Sequence, residues 1–250
     1  MRSIDTSRPL GQLACALLAF ISLTGAARET ATIKDCADCP ELIPIPPFEM
    51  RSKVLNIAVS VTPITFAEWN ACVRRGGCAG YHPDEQGWPD ATPVVNVSYF
   101  EAQNYVRWLR LTTRARYRLV RENEWAWLAT IGHTRAYPWG EAIGRGNTNC
   151  LDCGSPWDGI SANPVRSFPA DPHGLHDLVG NVAHWTEPSS VSQRARGRER
   201  ACAREGRRYA AIFGAAWADP ARYLVATTST CFPKVLRDDT IGFRVVRELG

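Results

Sequence analysis

The chain has 250 residues, 45% of them hydrophobic and 22% charged, with nine Trp, nine Cys and only two Met. That leaves room for one sizeable domain plus a leader, and the balance excludes a disordered chain. The net charge of +4 is uneven: seven Arg fall between Arg194 and Arg208, and without them the remainder is slightly acidic. No aromatic residue lies within that run to stack on bases and no recognition motif flanks it, so we read 194–208 as a solvated Arg-rich insertion loop and expect no nucleic-acid partner.

Arg2 and Arg8 precede an apolar run, Leu13 to Leu23, and then Gly25-Ala26-Ala27. A charged start, an apolar stretch too short to span a bilayer and small residues after it predict a signal peptide over 1–27. Cys15 sits inside the apolar run, so this is not a lipoprotein signal. No later stretch is long and apolar enough to stay in a membrane, which predicts a periplasmic or secreted protein with no stable membrane insertion after leader removal; we expect a monomer.

Export governs the cysteines. Beyond Cys15 there are Cys36 and Cys39, Cys72 and Cys78, Cys150 and Cys153, then Cys202 and Cys231. Two C-x-x-C units can make a four-thiolate zinc site, but these lie more than a hundred residues apart and an oxidising compartment favours disulfides. Connectivity stays open at this stage.

In chain order, residues 28–40 form a Cys-containing N-terminal segment before a domain over 41–250. Leu42 to Phe48, broken by Pro44, Pro46 and Pro47, is an edge strand at best. Val54 to Val61 reads as one strand from its β-branching. Thr65 and Glu68 have capping-box spacing, opening a helix with Phe66, Trp69 and Val73 on one face and Gly76-Gly77 at its end. Ser98 and Glu101 open a second helix whose apolar face is Ala102, Tyr105, Val106 and Leu109. Tyr117 to Val120 predicts a short strand, and Glu122 to Ala129 a third helix. From Gly132 to Val182 there is little periodicity but much Gly, Pro, Asn and Asp, and so long a loop is usually functional or tied down. Ile241 to Val246 reads as a closing strand. The class is α+β with short elements and much irregular structure.

The chain carries no G-x-S-x-G, H-E-x-x-H, P-loop or dinucleotide fingerprint. His173, His176 and His184 match no helix-face metal pattern and read as ordinary polar residues. What stands out is an ordered set of segments. Pro93-Val94-Val95-Asn96-Val97-Ser98-Tyr99 comes first, then Arg118-Leu119 with Glu122, Glu124-Trp125 and Ala129. Tyr137-Pro138-Trp139-Gly140, Asn147-Thr148-Asn149, Pro164-Val165, Ser167-Phe168-Pro169 and Gly174-Leu175 to Gly180-Asn181-Val182 follow. Ile241-Gly242-Phe243-Arg244-Val245-Val246 closes it. Together they resemble the formylglycine-generating enzymes, or sulfatase-modifying factors, from about Glu41 to the C-terminus. Asp35-Cys36 to Cys39-Pro40 and Phe66-Ala67-Glu68-Trp69 with Cys72 and Cys78 resemble the family's exported bacterial branch.

The resemblance implies a C-type-lectin-like fold and structural calcium. One calcium site would use Asn149, the carbonyl of Cys150 and Asp158. A second would use Asp177 and the carbonyls of Gly180 and Val182, with His184 where the family has Glu; imidazole in place of a hard oxygen weakens that site. The family's enzymes oxidise a cysteine of a sulfatase peptide to formylglycine with oxygen and a copper(I) held by two thiolates, just after a Gly-Gly-Ser-aromatic turn. Here the matching turn is Gly214-Ala215-Ala216-Trp217, and no Cys lies between Cys202 and Cys231. Asp219 and Leu224 fall where the thiols belong, and Ala183 replaces the aromatic before the lost Glu. The resemblance therefore implies a divergent or inactive member without copper. Its cleft candidates are Asp219, Trp217 and Arg222, and its partner an exported, sulfatase-like protein or peptide, or a glycan. A non-catalytic binding module or variable display scaffold over Ala215 to Thr240 is the competing expectation. The Arg-rich insert replaces a stretch that normally carries a Cys, which leaves Cys202 to pair with Cys231 or remain free.

Overall fold

The computed structural model describes residues 31–50, 53–78, 87–132, 134–189, 202, 205–227 and 229–250. The expected signal peptide over 1–27 lies outside the described residues, as does most of the Arg-rich run 194–208.

The N-terminal part contributes strands β1 (Leu42–Pro44), β2 (Phe48–Met50), β3 (Lys53–Leu55) and β4 (Ile57–Ser60), then helices α1 (Phe66–Arg74) and α2 (Tyr99–Thr113). Strand β5 (Tyr117–Leu119) leads into α3 (Glu122–Ala129). After the long irregular stretch come β6 (Ala183–Trp185), β7 (Tyr209–Phe213), β8 (Ser229–Pro233), β9 (Ile241–Phe243) and β10 (Val245–Glu248). One sheet has the order β1-β4-β10-β5, a second β8-β7-β6-β9, and β2 with β3 forms a separate hairpin. β6 and β9 run parallel, with His184 opposite Gly242, while the other pairs are antiparallel.

The helices start where the sequence says they should. The Thr65 hydroxyl accepts from Glu68 N at 3.3 Å while the Glu68 carboxylate accepts from Thr65 N at 2.8 Å. Ser98 and Glu101 repeat the pattern at 3.3 and 2.8 Å. Each reciprocal box satisfies two amide groups that no helical carbonyl can reach, and losing such a cap costs about 1 kcal/mol. α1 stops at Gly76, whose φ of 72° suits glycine, and α2 at Arg114 in the left-handed region. α3 is fixed from below: the Arg118 guanidinium forks onto the Glu124 carboxylate at 2.6 and 2.7 Å, both side chains being buried. Burial pulls the Arg118 pKa down, but Glu124 and Glu248 more than offset it, so the pKa is raised.

Two expectations are corrected. Val54 to Val61 is not one strand: Asn56 separates β3, which pairs with β2, from β4, which pairs with β1 and β10. Ile241 to Val246 is likewise two strands in different sheets, switching at Arg244. Hydrophobicity alone cannot show a change of pairing: β3 is mostly exposed, with Val54 71% exposed, and β4 is buried, yet the two read as one β-branched run. β6, β7 and β8 were not foreseen. Leu42–Pro44 is an edge strand, as its prolines require. The stretch from Gly132 to Val182 has no helix or strand among its described residues.

The core falls into two clusters. In one, Trp69, Tyr105 and Phe243 meet with ring centroids 5.4 to 6.3 Å apart. In the other, Trp125 packs on Phe213 and on the loop residues Leu175, Leu178 and Val179. The irregular stretch is thus part of the core. Four disulfides close it further: Cys36–Cys39, Cys72–Cys78, Cys150–Cys153 and Cys202–Cys231. Both C-x-x-C units are internal bridges, and Cys202 pairs with Cys231.

Arg244, with no exposed surface, joins the two sheets to the long loop. It donates to the carbonyls of Ser60 and His176, and to that of Asp177 at 3.3 Å. Leaving buried carbonyls without their donor typically costs about 1–3 kcal/mol. Arg244→Met should therefore lower unfolding stability by about that amount in urea titrations with the disulfides intact. A loss below about 1 kcal/mol would show that the carbonyls find other partners.

Candidate functional site

The edge of the second sheet and the turn after β7 enclose a cavity of about 440 Å³. Its floor is apolar, built from Ala183 of β6, Ile212 and Phe213 of β7 and Phe232 of β8. Ser229, Thr230 and Thr240 add hydroxyls, and Asp219, Arg222 and Tyr223 stand around it as its charged and aromatic groups.

The local backbone is unusual. Gly214 has φ of 98° and Ala215 of 54°. A Cβ at Gly214 would come within 2.9 Å of the Leu178 carbonyl and 3.0 Å of the Trp125 ring, so only glycine fits there. Asp177, Gly180 and Asn181 also have positive φ. Gly180 N donates to the Gly214 carbonyl at 2.6 Å and Trp217 N to that of Asn181 at 2.9 Å, tying the two left-handed stretches together. Non-glycine residues in this region carry strain of about 1–3 kcal/mol each, which the surrounding packing must offset.

The candidate residues separate in space. Asp219 lies on the cavity, with Oδ2 accepting from Ala216 N at 2.8 Å and its carbonyl accepting from Leu151 N at 2.9 Å. Arg222 lines the same cavity, its guanidinium 4.8 Å over the Tyr223 ring. Trp217 does not line it: the indole packs against the first core cluster and donates to the Asp239 carbonyl at 3.2 Å. Leu224 is fully buried in the second cluster. The two residues at the expected thiol positions therefore have different roles, one at the cavity and one in the core. All eight described cysteines are in disulfides.

The residues expected around calcium also divide. Asn149 is fully buried; its Oδ1 accepts from Ser155 Oγ at 3.0 Å, and Ser155 N donates to Asp158 Oδ1 at 2.9 Å. Both hard oxygen donors thus meet at Ser155, beside the Cys150–Cys153 bridge. Burial pushes the Asp158 carboxyl up, but bonds from Ser155, Gly154 and Cys150 outweigh this and hold its pKa below the usual value. An ionised carboxylate with a carboxamide oxygen fits a calcium ion.

The second set is different. Asp177 accepts from Arg166 N at 3.1 Å and from Asn181 at 3.4 Å, and burial raises its pKa. His184 is fully buried against Trp125, ring centroids 4.5 Å apart, and neither ring nitrogen has a hydrogen-bond partner. Gly180 and Val182 stand in the turn beside it, and a Cβ at Gly180 would meet Thr148 Oγ1 at 2.2 Å. A buried imidazole in place of a carboxylate does not fit a hard dication. Among the described residues, no three His, Cys, Asp or Glu side chains gather as a metal cluster.

Sequence reasoning missed Phe213, Phe232, Ser229 and Thr230 as cavity residues. Their strands follow the Arg-rich run, and Tyr209-Ala210-Ala211-Ile212-Phe213 gives no alternation to find.

Short helices, two small sheets and a long disulfide-pinned loop ending in this cavity define a C-type-lectin-like α+β scaffold. The chain belongs to the sulfatase-modifying factor (formylglycine-generating enzyme) family: residues 34–249 match the Sulfatase-modifying factor enzyme 1-like domain. It is similar to the formylglycine-generating enzyme of Mycobacterium tuberculosis, 35% identical over 106 residues, or 38% of this chain and 32% of that one. It is also similar to inactive C-alpha-formylglycine-generating enzyme 2 of Mus musculus, 33% identical over 172 residues, 63% of this chain and 50% of that one. The matched region thus spans a third to a half of these relatives. Among solved structures, PvdO from Pseudomonas aeruginosa superposes with a TM-score of 0.69 at 22% identity, covering 88% of this chain and 98% of PvdO.

Burial, and secondarily the charge of Arg244, depresses the His184 pKa well below its usual value. The unfolded chain then binds a proton that the fold excludes, so this residue's contribution is present above about pH 6.5 and is lost as pH falls. Asp171 and Asp177 have raised pKa values and the opposite sign, so the comparison must isolate the imidazole. Wild type should lose stability relative to His184→Gln as pH drops from 7 to about 5 in parallel urea titrations. Parallel curves would show that His184 is protonated, or hydrated, in the fold.

Proposed function

We propose that this chain is an exported, divergent family member that binds a peptide or glycan partner in the cavity at Asp219 and Arg222 and lacks the copper–thiolate oxidase chemistry. One observation carries this: every described cysteine is committed to a disulfide, while the family resemblance puts Asp219 and Leu224 about where the thiolates would be. Copper(I) needs soft ligands, and neither an aspartate nor a buried leucine supplies one. The match to a mouse relative named as inactive is in keeping with loss of activity on a retained scaffold. Four disulfides support export, since such bridges persist in oxidising compartments. No helix among the described residues is long and apolar enough to cross a membrane.

The cavity supplies an apolar floor with an acid, a guanidinium and three hydroxyls. That mixture suits an amphipathic ligand, whose apolar part is buried while charges and hydroxyls fix its orientation. Incubating the protein with copper(I), oxygen and a Cys-x-Pro-x-Arg peptide should give no aldehyde by mass spectrometry. Formylglycine in the product would overturn this reading.

We place structural calcium at the first set, Asn149, the Cys150 carbonyl and Asp158, supported by Asn149 Oδ1 and the ionised Asp158 both lying beside Ser155. Calcium bound only to the folded state raises Tm by mass action, and a chelator should lower it. Asp158→Ala should abolish the difference. An identical melting transition with calcium and with chelator would remove the ion from this account.

A further inference from the structure

A second feature of the surface is independent of the cavity. The C-terminal half of α2, the start of β5 and the residues before α3 form a groove of about 510 Å³ lined by Arg110, Arg114, Arg116, Arg118 and Arg121. Only Glu187 and Glu248 line it in opposition. Glu248 is shared, with Arg118 at 2.9 Å, Arg116 at 3.6 Å and Arg121 at 3.7 Å. Glu124 neutralises Arg118 from beneath. Arg107, Arg110 and Arg114 have no carboxylate within 4.0 Å among the described residues; Arg110 Nε donates to the Tyr117 carbonyl. Five guanidiniums against three carboxylates leave a net positive surface.

The outer face of α2 beside this groove carries apolar residues, Leu111 lining a neighbouring groove with Arg75 and Arg107. Leu111 is 72% exposed and Phe100 49%. They lie eleven residues apart, about three helical turns, so they project from one side of α2, with the exposed Arg107 between them. An exposed apolar stripe among guanidiniums is the pattern of a helix that lies in a membrane interface: arginine binds headgroup phosphate while leucine and phenylalanine enter the acyl boundary. A soluble polyanion would make use of the arginines but not of Leu111. Nucleic acid fits poorly because Tyr117 and Trp108 beside the groove are buried and offer no face for stacking. Asp35, which accepts from the Tyr117 hydroxyl at 2.7 Å, pairs with Arg247 at 2.8 Å, and Asp38 pairs with Arg75, so the N-terminal acids are already engaged.

We propose that the α2 face, from Phe100 to Arg114 with the arginine groove beside it, docks on an anionic phospholipid surface. The cavity at Asp219 is not part of this face and stays free for its own ligand.

The test is co-sedimentation of the chain, purified as the exporting cell processes it, with vesicles of phosphatidylcholine alone or mixed with phosphatidylglycerol. Binding should require phosphatidylglycerol and weaken as salt rises. Arg107→Ala, Arg110→Ala and Arg114→Ala together should lower partitioning by roughly fivefold for each charge removed. Leu111→Ser should lower it about tenfold while leaving the salt dependence in place. All variants share one N-terminus, so residual leader cannot explain a difference between them, and unchanged Tm confirms folding. Equal binding to both vesicle types, or no effect of the arginine variants, would overturn the proposal. So would tighter binding to a sulfated oligosaccharide with Leu111→Ser silent, which would assign the groove to a soluble polyanion.

Discussion

Arg244 is the constraint on which the two sheets depend. It is the single residue between β9 and β10, so the chain must leave one sheet and enter the other within the span of its own backbone. A guanidinium carries five donors and no acceptor, and burying it is tolerable only when carbonyls and carboxylates surround it. Ser60 at the end of β4 and His176 and Asp177 of the long loop supply those carbonyls. Burial lowers its pKa to about 10, against the opposing charges of Asp177 and Asp171. It therefore keeps its proton at neutral pH. The loop after α3 cannot move without uncovering this charge.

That requirement explains why a stretch with no helix or strand behaves as core. Leu175, Leu178 and Val179 pack beside Trp125, and the Thr148 hydroxyl donates to the Val179 carbonyl. Asn181 and Asn163 exchange two hydrogen bonds, at 3.0 and 3.2 Å, which satisfies buried polar groups that regular structure would have paired. The left-handed residues at 177, 180 and 181 are then positions where side-chain bonding, not helix or sheet, dictates the path. The loop also anchors the turn after β7, whose Ala215 and Asp219 line the cavity, through the hydrogen bond from Gly180 N to the Gly214 carbonyl at 2.6 Å.

Legibility in the sequence followed locality. The three helices were readable because their signals, capping boxes at Thr65 and Ser98 and a glycine stop at Gly76, act within four residues. The disulfides were readable as disulfides but not as pairings: the sequence left connectivity open, and of the two alternatives for Cys202 the fold takes the bridge to Cys231, Cα atoms 5.5 Å apart. The sheet change at Arg244 was not readable, since an apolar run looks the same whether it serves one sheet or two. Asp219 and Arg222 were found as cavity residues through the family's motif order. Trp217 and Leu224 were placed by the same order but face the core, because a motif fixes chain position and not the direction of a side chain.

The replaced residues at the site form a physically consistent set. Where the family resemblance implies Glu, a carboxylate buried as deeply as His184 would need a cation or a donor beside it. A neutral imidazole carries no charge to offset, and it packs on Trp125 with the ring planes tilted by 39°, at the cost of burying two ring nitrogens without a hydrogen-bond partner. At Leu224 a side chain in the second core cluster gains burial where a thiolate would have had to stay accessible to a metal. Ala183 opens the cavity floor, where a larger aromatic would fill part of it. Of the groups the resemblance implies, the Glu and the thiolate need a cation or a metal beside them, whereas His184 and Leu224 are held by packing. A binding role of the kind proposed needs the shape of the cavity and none of the metal-holding groups that the resemblance implies at these positions.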